Sequence, residues 1–259
     1  MPEQNVMRPV FFGHGSPMNA IESNRYSLAW REYGASIALP RAVLAISAHW
    51  YIGATAVTVM AHPRTIHDFY GFPRALFEVE YPAPGDPKVA QEVIELAEPV
   101  WVGTDSDSWG LDHGTWSVLC HVFPQANVPV LQLSIDASKP MNYHFELGRK
   151  LAALADMGVL VLGSGNVVHN LRRINWSEPE AGYDWARTFN EEVAGIMQSD
   201  PEALLRIESH PDFALASPTP DHFLPLVYLA GMAREMGTTA TRFLDGYAYG
   251  SLSMAAFQL

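Results

Sequence analysis

Residues 159–170 read Val-Leu-Val-Leu-Gly-Ser-Gly-Asn-Val-Val-His-Asn, and the fold class turns on this stretch. Its opening, Val159–Gly163, is apolar without alternation. A strand with one wet face alternates apolar and polar residues, whereas a continuous apolar run fits a strand covered on both faces, as in a mostly parallel sheet. The glycines that follow permit a tight turn, so His169 falls in a loop at the end of the strand.

Working outward, the same signal of an apolar run followed by Gly, Ser or His recurs at Pro9–Phe12, Ala42–Ser47 and Val128–Ile135. Helical spacing falls between the runs, over Thr115–Val122, Asn142–Ala155 and Asp184–Met197. A last helix is expected after Pro220, capped by Asp221, with Pro225 in its first turn, and Thr241–Gly250 suggests an edge strand. Strands alternating with helices indicate an α/β fold with a central, mostly parallel sheet flanked by helices on both faces. Pro63–Pro87 and Asn175–Gly182 read as long surface loops. Neither a repeat nor a linker breaks the chain, so residues 1–259 are expected to form a single domain.

Composition excludes several function classes. The chain has 16 Lys and Arg against 28 Asp and Glu, a formal charge of −12 that repels nucleic acid unless the basic residues cluster. They do not; Arg172-Arg173 reads as a solvated helix end. One cysteine, Cys120, excludes an internal disulfide and a thiolate-rich metal site, and its apolar surroundings make it a core residue. The first residues, MPEQNVMRPVFF, lack a secretory leader pattern, and no apolar run has the length of a membrane span. A cytoplasmic protein with no nucleic-acid or membrane partner is the expectation, and the sequence leaves room for a homo-oligomer.

Ten histidines are present, and their placement matters more than their number. His14 follows the first strand, His49 the second and His169 the fourth, while His222 precedes the last helix. Residues just past the carboxyl ends of parallel strands converge on one crevice, and neutral imidazole is a common ligand of zinc, iron and copper. Taken singly, each of the four reads first as a turn residue or a hydrogen-bonded core histidine. As a group, flanked by Gly13, Gly15, Gly163 and Gly165, they suggest a shared metal site. His113 begins a helix, where it can cap the helix or meet developing negative charge. His67, in an aromatic loop with Phe69, Tyr70 and Phe72, can face a substrate or pack in the core. His62, His121, His144 and His210 read as structural or exposed. HExxH, the Walker loop, GxGxxG and GxSxG are absent.

The segments FFGHGSPMN, SAHW, TIHDFYGFP, YPAPGDP, WGLDHGTWSVL, QLSID, HFELGRKLAAL, GSGNVVHNL, PTPDHFLPLVY and GSLSM, spread from Val10 to Met254, resemble the class III extradiol dioxygenases in their bacterial and plant 4,5-DOPA branch. The resemblance implies an enzyme that opens a catechol ring with O2 at one divalent metal ion, without an organic cofactor. It also implies that His14, His49 and His222 are metal ligands, that His169 is an acid/base close enough to be a further ligand, and that His113 steadies oxygen or substrate. His67 and Phe69 are candidate substrate contacts. Relatives acting on protocatechuate-type substrates use two histidines and a carboxylate; His222 stands in the carboxylate's place, so Fe(II) and Zn(II) both stay open. A zinc-dependent hydrolase and a non-catalytic metal-binding relative are the alternatives.

Overall fold

The computed structural model describes residues 6–259, so the leader reading of the first five residues lies outside the described part. Among the described residues ten strands occur: β1 (Val10–Gly13), β2 (Ala42–Ile52), β3 (Ala56–Thr58), β4 (Gly103–Asp105), β5 (Val130–Asp136), β6 (Val159–Gly165), β7 (Thr241–Leu244), β8 (Tyr247–Ala248), β9 (Leu252–Ser253) and β10 (Ala256–Gln258). Eight form one sheet in the order β4-β3-β5-β2-β6-β1-β10-β7, and β8 with β9 makes a small hairpin. The central ladder β5-β2-β6-β1 is parallel throughout. At its margins β3 meets β5, and β10 meets both β1 and β7, in antiparallel fashion.

The helices are α1 (Arg25–Ser36), α2 (Arg74–Phe77), α3 (Pro87–Ala97), α4 (His113–Val122), α5 (Met141–Leu151), α6 (Asp184–Ser199), α7 (Phe213–Ala216) and α8 (Leu224–Met236). They cover both faces of the sheet. Phe11, Leu44, Ile46, Leu133 and Val161 point to the side packed by α3, α5 and α8. Val10, Phe12, Val43, Ala45, Leu160 and Leu162 point to the other, against Trp30 of α1 and Trp116 of α4. This is why the strand sequences do not alternate: both faces are dry, and each large side chain contributes roughly 1.5–3 kcal/mol by burial.

Three expectations need correction. First, β2 continues to Ile52, so His49 lies within the strand and not after it. Its pairing with β5 breaks between Ile46 and Tyr51, and its ladder with β6 ends at Ser47, so His49 occupies the stretch freed from regular pairing. Second, Asp221 does not cap the last helix; α8 starts at Leu224 without a side-chain cap, and the Asp221 carboxylate is taken by His222 Nδ1. Third, only Thr241–Leu244 of the C-terminal stretch forms the edge strand, and β10, which the sequence did not announce, inserts between it and β1.

Candidate metal centre

The carboxyl ends of β1, β2 and β6 deliver their side chains to one place. His14 is the first residue past β1 and is 1% exposed. Its Nδ1 lies 2.9 Å from Ser164 Oγ at the end of β6. The Ser164 hydroxyl in turn donates to the Gly114 carbonyl at 2.6 Å. A carbonyl only accepts, so Ser164 Oγ must accept from His14 Nδ1–H, and the His14 lone pair is left on Nε2. That Nε2 is 3.1 Å from His49 Nε2.

A carboxylate faces Nδ1 of each of the other two rings, as a close charge contact at His49 and as a hydrogen bond at His222. His49 Nδ1 is 3.2 Å from Asp68 Oδ2, and His222 Nδ1 contacts Asp221 Oδ2. Both acceptors are carboxylates, so both rings carry hydrogen on Nδ1 and offer Nε2. His222 is brought in by the turn before α8, whose backbone runs hard against β6. Asn166 N–H donates to the His222 carbonyl at 2.9 Å, and a Cβ on Gly165 would lie 2.1 Å from that oxygen. Only glycine lets the turn approach this closely.

Ring centroids of His14, His49 and His222 form a nearly equilateral triangle with sides of 5.0, 5.2 and 5.3 Å. His113, the first residue of α4, lies 3.9 Å from the His49 ring, centre to centre. Asp68 Oδ1 is 2.9 Å from both the His113 backbone N and Nδ1. The backbone N–H aims at the carboxylate while the ring N–H does not, so the ring contact is electrostatic and not a directed hydrogen bond. His169 stacks on His222 with centroids 3.4 Å apart and planes 4° from parallel, its backbone N–H donating to the Ala216 carbonyl at 2.8 Å.

The electrostatics favour neutral imidazoles. Burial, reinforced by neighbouring histidines, holds His14 and His222 well below the ordinary histidine range. Burial pushes His169 down to about 4, against the pull of Asp221. It lowers His113 as well, with the His49 charge adding to the effect. His49 goes the other way: burial opposes its charge, but Asp68 and Asp112 outweigh burial and raise it. Burial would raise Asp68, yet His113 and His49 hold its carboxyl far below the usual range.

Two Nε2 atoms 3.1 Å apart need a proton or a cation between them. The donor set fits a divalent cation: imidazoles binding one ion at roughly 2.1 Å through Nε2, about 90–110° apart, would have ring centres roughly 4.6–5.3 Å apart. The side chains of His14, His49 and His113, and separately of His169, Asp221 and His222, offer ligand atoms all within 4.8 Å of one another. The protein therefore has a histidine-rich centre able to hold a metal ion.

Two candidates from the aromatic loop have different surroundings. His67 Nε2 lies 2.9 Å from the Val79 carbonyl, and its ring packs among Phe69, Phe77 and Trp116. Phe69 stands edge-on to His113 with centroids 5.5 Å apart. Asp68, between them, was not singled out in the sequence, and nothing in a lone Asp within an aromatic loop would have marked it. The remaining histidines are elsewhere: His121 bonds the Asn19 carbonyl, His144 the Tyr228 hydroxyl, His210 accepts from Asp212 N–H, and His62 is exposed. Among the described residues no helix is long and apolar enough to cross a membrane.

Comparison with known proteins gives the family. Residues 17–257 match the family model described as the catalytic LigB subunit of aromatic ring-opening dioxygenase. The chain is 46% identical to a protein of Escherichia coli K12 named 4,5-DOPA dioxygenase extradiol, covering 98% of this chain and 94% of that one. A protein of the same name from Beta vulgaris is 36% identical, over 90% and 89% of the two chains. The crystal structure of an uncharacterized Escherichia coli K12 protein superposes with a TM-score of 0.85 at 41% identity, covering 98% of this chain and 99% of that one. Matched over nearly its whole length by the family model, by these relatives and by that structure, the chain belongs to the LigB family of aromatic ring-opening dioxygenases.

Proposed function

We propose that this protein is an extradiol dioxygenase that opens the ring of a DOPA-like catechol with O2, using one divalent metal ion held by His14, His49 and His222. The observation that carries this reading is the shared orientation of the three rings: each Nδ1 is committed to Ser164, Asp68 or Asp221, which leaves each Nε2 as the donor. When bound, Fe(II) would supply the positive charge that acidifies the catechol hydroxyls and the electron relay between the ring and dioxygen.

His169 is assigned as the acid/base. A ligand imidazole must have the ion near its own ring plane, and two nearly parallel rings 3.4 Å apart cannot both meet that condition for one ion. With His222 as ligand, His169 is left to act beside the centre. Burial keeps it neutral near pH 7, so one of its ring nitrogens can take a phenolic proton and later return it to the opened product. His113 is 3.9 Å from His49 between ring centres, shorter than two adjacent ligands of one ion would show, which suits a group that hydrogen-bonds the substrate or oxygen. Phe69, packed on His113, would line the side from which the catechol ring enters. His67 is turned toward its own loop and would act on substrate only by holding Phe69.

Anaerobic loading with Fe(II), followed by oxygen-electrode and absorbance measurements with DOPA and other substituted catechols, tests the reading. Uptake of O2 with appearance of a yellow ring-opened product is expected. The all-imidazole donor set also suits zinc, and a zinc hydrolase would consume no O2; absence of uptake across the catechol series with iron bound would overturn the dioxygenase assignment.

A further inference from the structure

Asp68 makes contacts beyond the one with His49 Nδ1 on which the proposed function draws. Its side chain is 17% exposed and sits in the loop between β3 and α2. One carboxylate oxygen is 3.2 Å from His49 Nδ1. The other is 2.9 Å from the first backbone N–H of α4 and 2.9 Å from His113 Nδ1. A single carboxylate therefore joins the aromatic loop, the irregular part of β2 and the start of α4.

We propose that Asp68 is a positioning residue of the metal centre: its carboxylate fixes the Nδ1–H tautomer of His49, turns His49 Nε2 toward His14, and holds His113 at a set distance from both. This rests on the reading of His14, His49 and His222 as ligands. The chemistry admits few substitutes. A carboxylate accepts hydrogen bonds on both oxygens, whereas an asparagine amide accepts on one side and donates on the other. Keeping the contact with the α4 N–H through the amide oxygen would aim the amide NH2 at His49 Nδ1. That favours the opposite tautomer, in which His49 Nε2 carries hydrogen and cannot bind an ion. Asp68 also places negative charge beside an all-imidazole donor set that has none of its own.

Zinc affinity measured by chelator competition, without turnover, provides the test. Wild-type protein should bind one ion, Asp68→Asn should bind about 10–100-fold more weakly, and Asp68→Glu, which keeps both acceptors, should fall between them. Equal affinity in D68N and wild type would overturn the inference and leave the ring-cleavage reading standing. No zinc or iron binding by the wild type would overturn both. Should D68N fail to fold, nitrogen-15 NMR of the zinc-loaded wild type decides: a slowly exchanging proton on His49 Nδ1 supports the assignment, and a metal-bound or freely exchanging Nδ1 overturns it.

Discussion

Replacing Ser164 with alanine removes one fully buried hydroxyl. Its Oγ accepts from His14 Nδ1–H at 2.9 Å. Without it that N–H is buried and unpartnered, at a cost of about 1–3 kcal/mol. The Gly114 carbonyl lies within α4 and loses only a second donor, so the histidine dominates the effect. For a chain of this length the cost corresponds to a fall in Tm of roughly 2–12 °C. His14 can escape the penalty only by moving its proton to Nε2, the atom assigned to the ion. The variant should therefore lose both stability and metal: urea unfolding of the chelator-treated protein should show the destabilisation, and zinc competition should show affinity reduced about 10–100-fold. Lower stability with undiminished zinc affinity would refute the tautomer argument, and no change in either would refute the hydrogen-bond assignment itself.

His169→Ala is expected to retain metal content while catechol turnover falls by about 10²–10⁴-fold, checked by metal analysis alongside oxygen uptake; turnover equal to wild type would remove His169 from the acid/base role. Gly165→Ala would press a methyl group against the His222 carbonyl at 2.1 Å and should destabilise by about 1–3 kcal/mol while weakening zinc binding, measured by thermal melts and chelator competition. His144, fully buried against Tyr228, is pushed down to about 4 by burial. The unfolded chain takes up its proton near pH 6.5 and the folded chain does not, so its contribution is whole above that pH and about 3 kcal/mol of stability is lost as pH falls toward 4. Urea midpoints across that window in wild type and His144→Asn should differ in slope. Cys120, whose thiol burial raises to about 12, should not react with a thiol reagent in the native state at mildly alkaline pH.

Much of the fold was legible because its four central strands are buried on both faces, and burial leaves a plain mark: the unbroken runs at 9–12, 42–47, 128–135 and 159–163. The strands at the sheet margins carry no such mark. β3, β4 and β10 are three residues each, too short for periodicity, and are set by the partners they meet. α3 was not anticipated, although Asp86 and Pro87 cap it and open it and Val89, Ala90, Val93 and Ala97 lie on its buried side. His49 seemed to lie beyond its strand because polar and aromatic residues follow Ser47, yet the chain stays extended without regular pairing there.

At the centre, histidines stood out because imidazole is scarce and each lay next to a strand end or a helix start. Their supports did not stand out. Ser164 looked like a turn residue between glycines, Asp221 like a helix cap, and Asp68 like one polar residue in an aromatic loop. Ser164 and Asp68 act through contacts of long sequence separation, 150 residues for Ser164 with His14 and 45 for Asp68 with His113, and no local pattern encodes such a pairing, while Asp221 turns to the ring next to it in the chain instead of to the helix end.

Anomalous diffraction from crystals of the protein loaded with a single divalent metal would bear most directly on the centre. The expected peak is one ion per chain within roughly 2.0–2.3 Å of Nε2 of His14, His49 and His222, with His169 alongside and uncoordinated. A peak bound instead by His113 or His169, or no peak at these rings, would contradict the account.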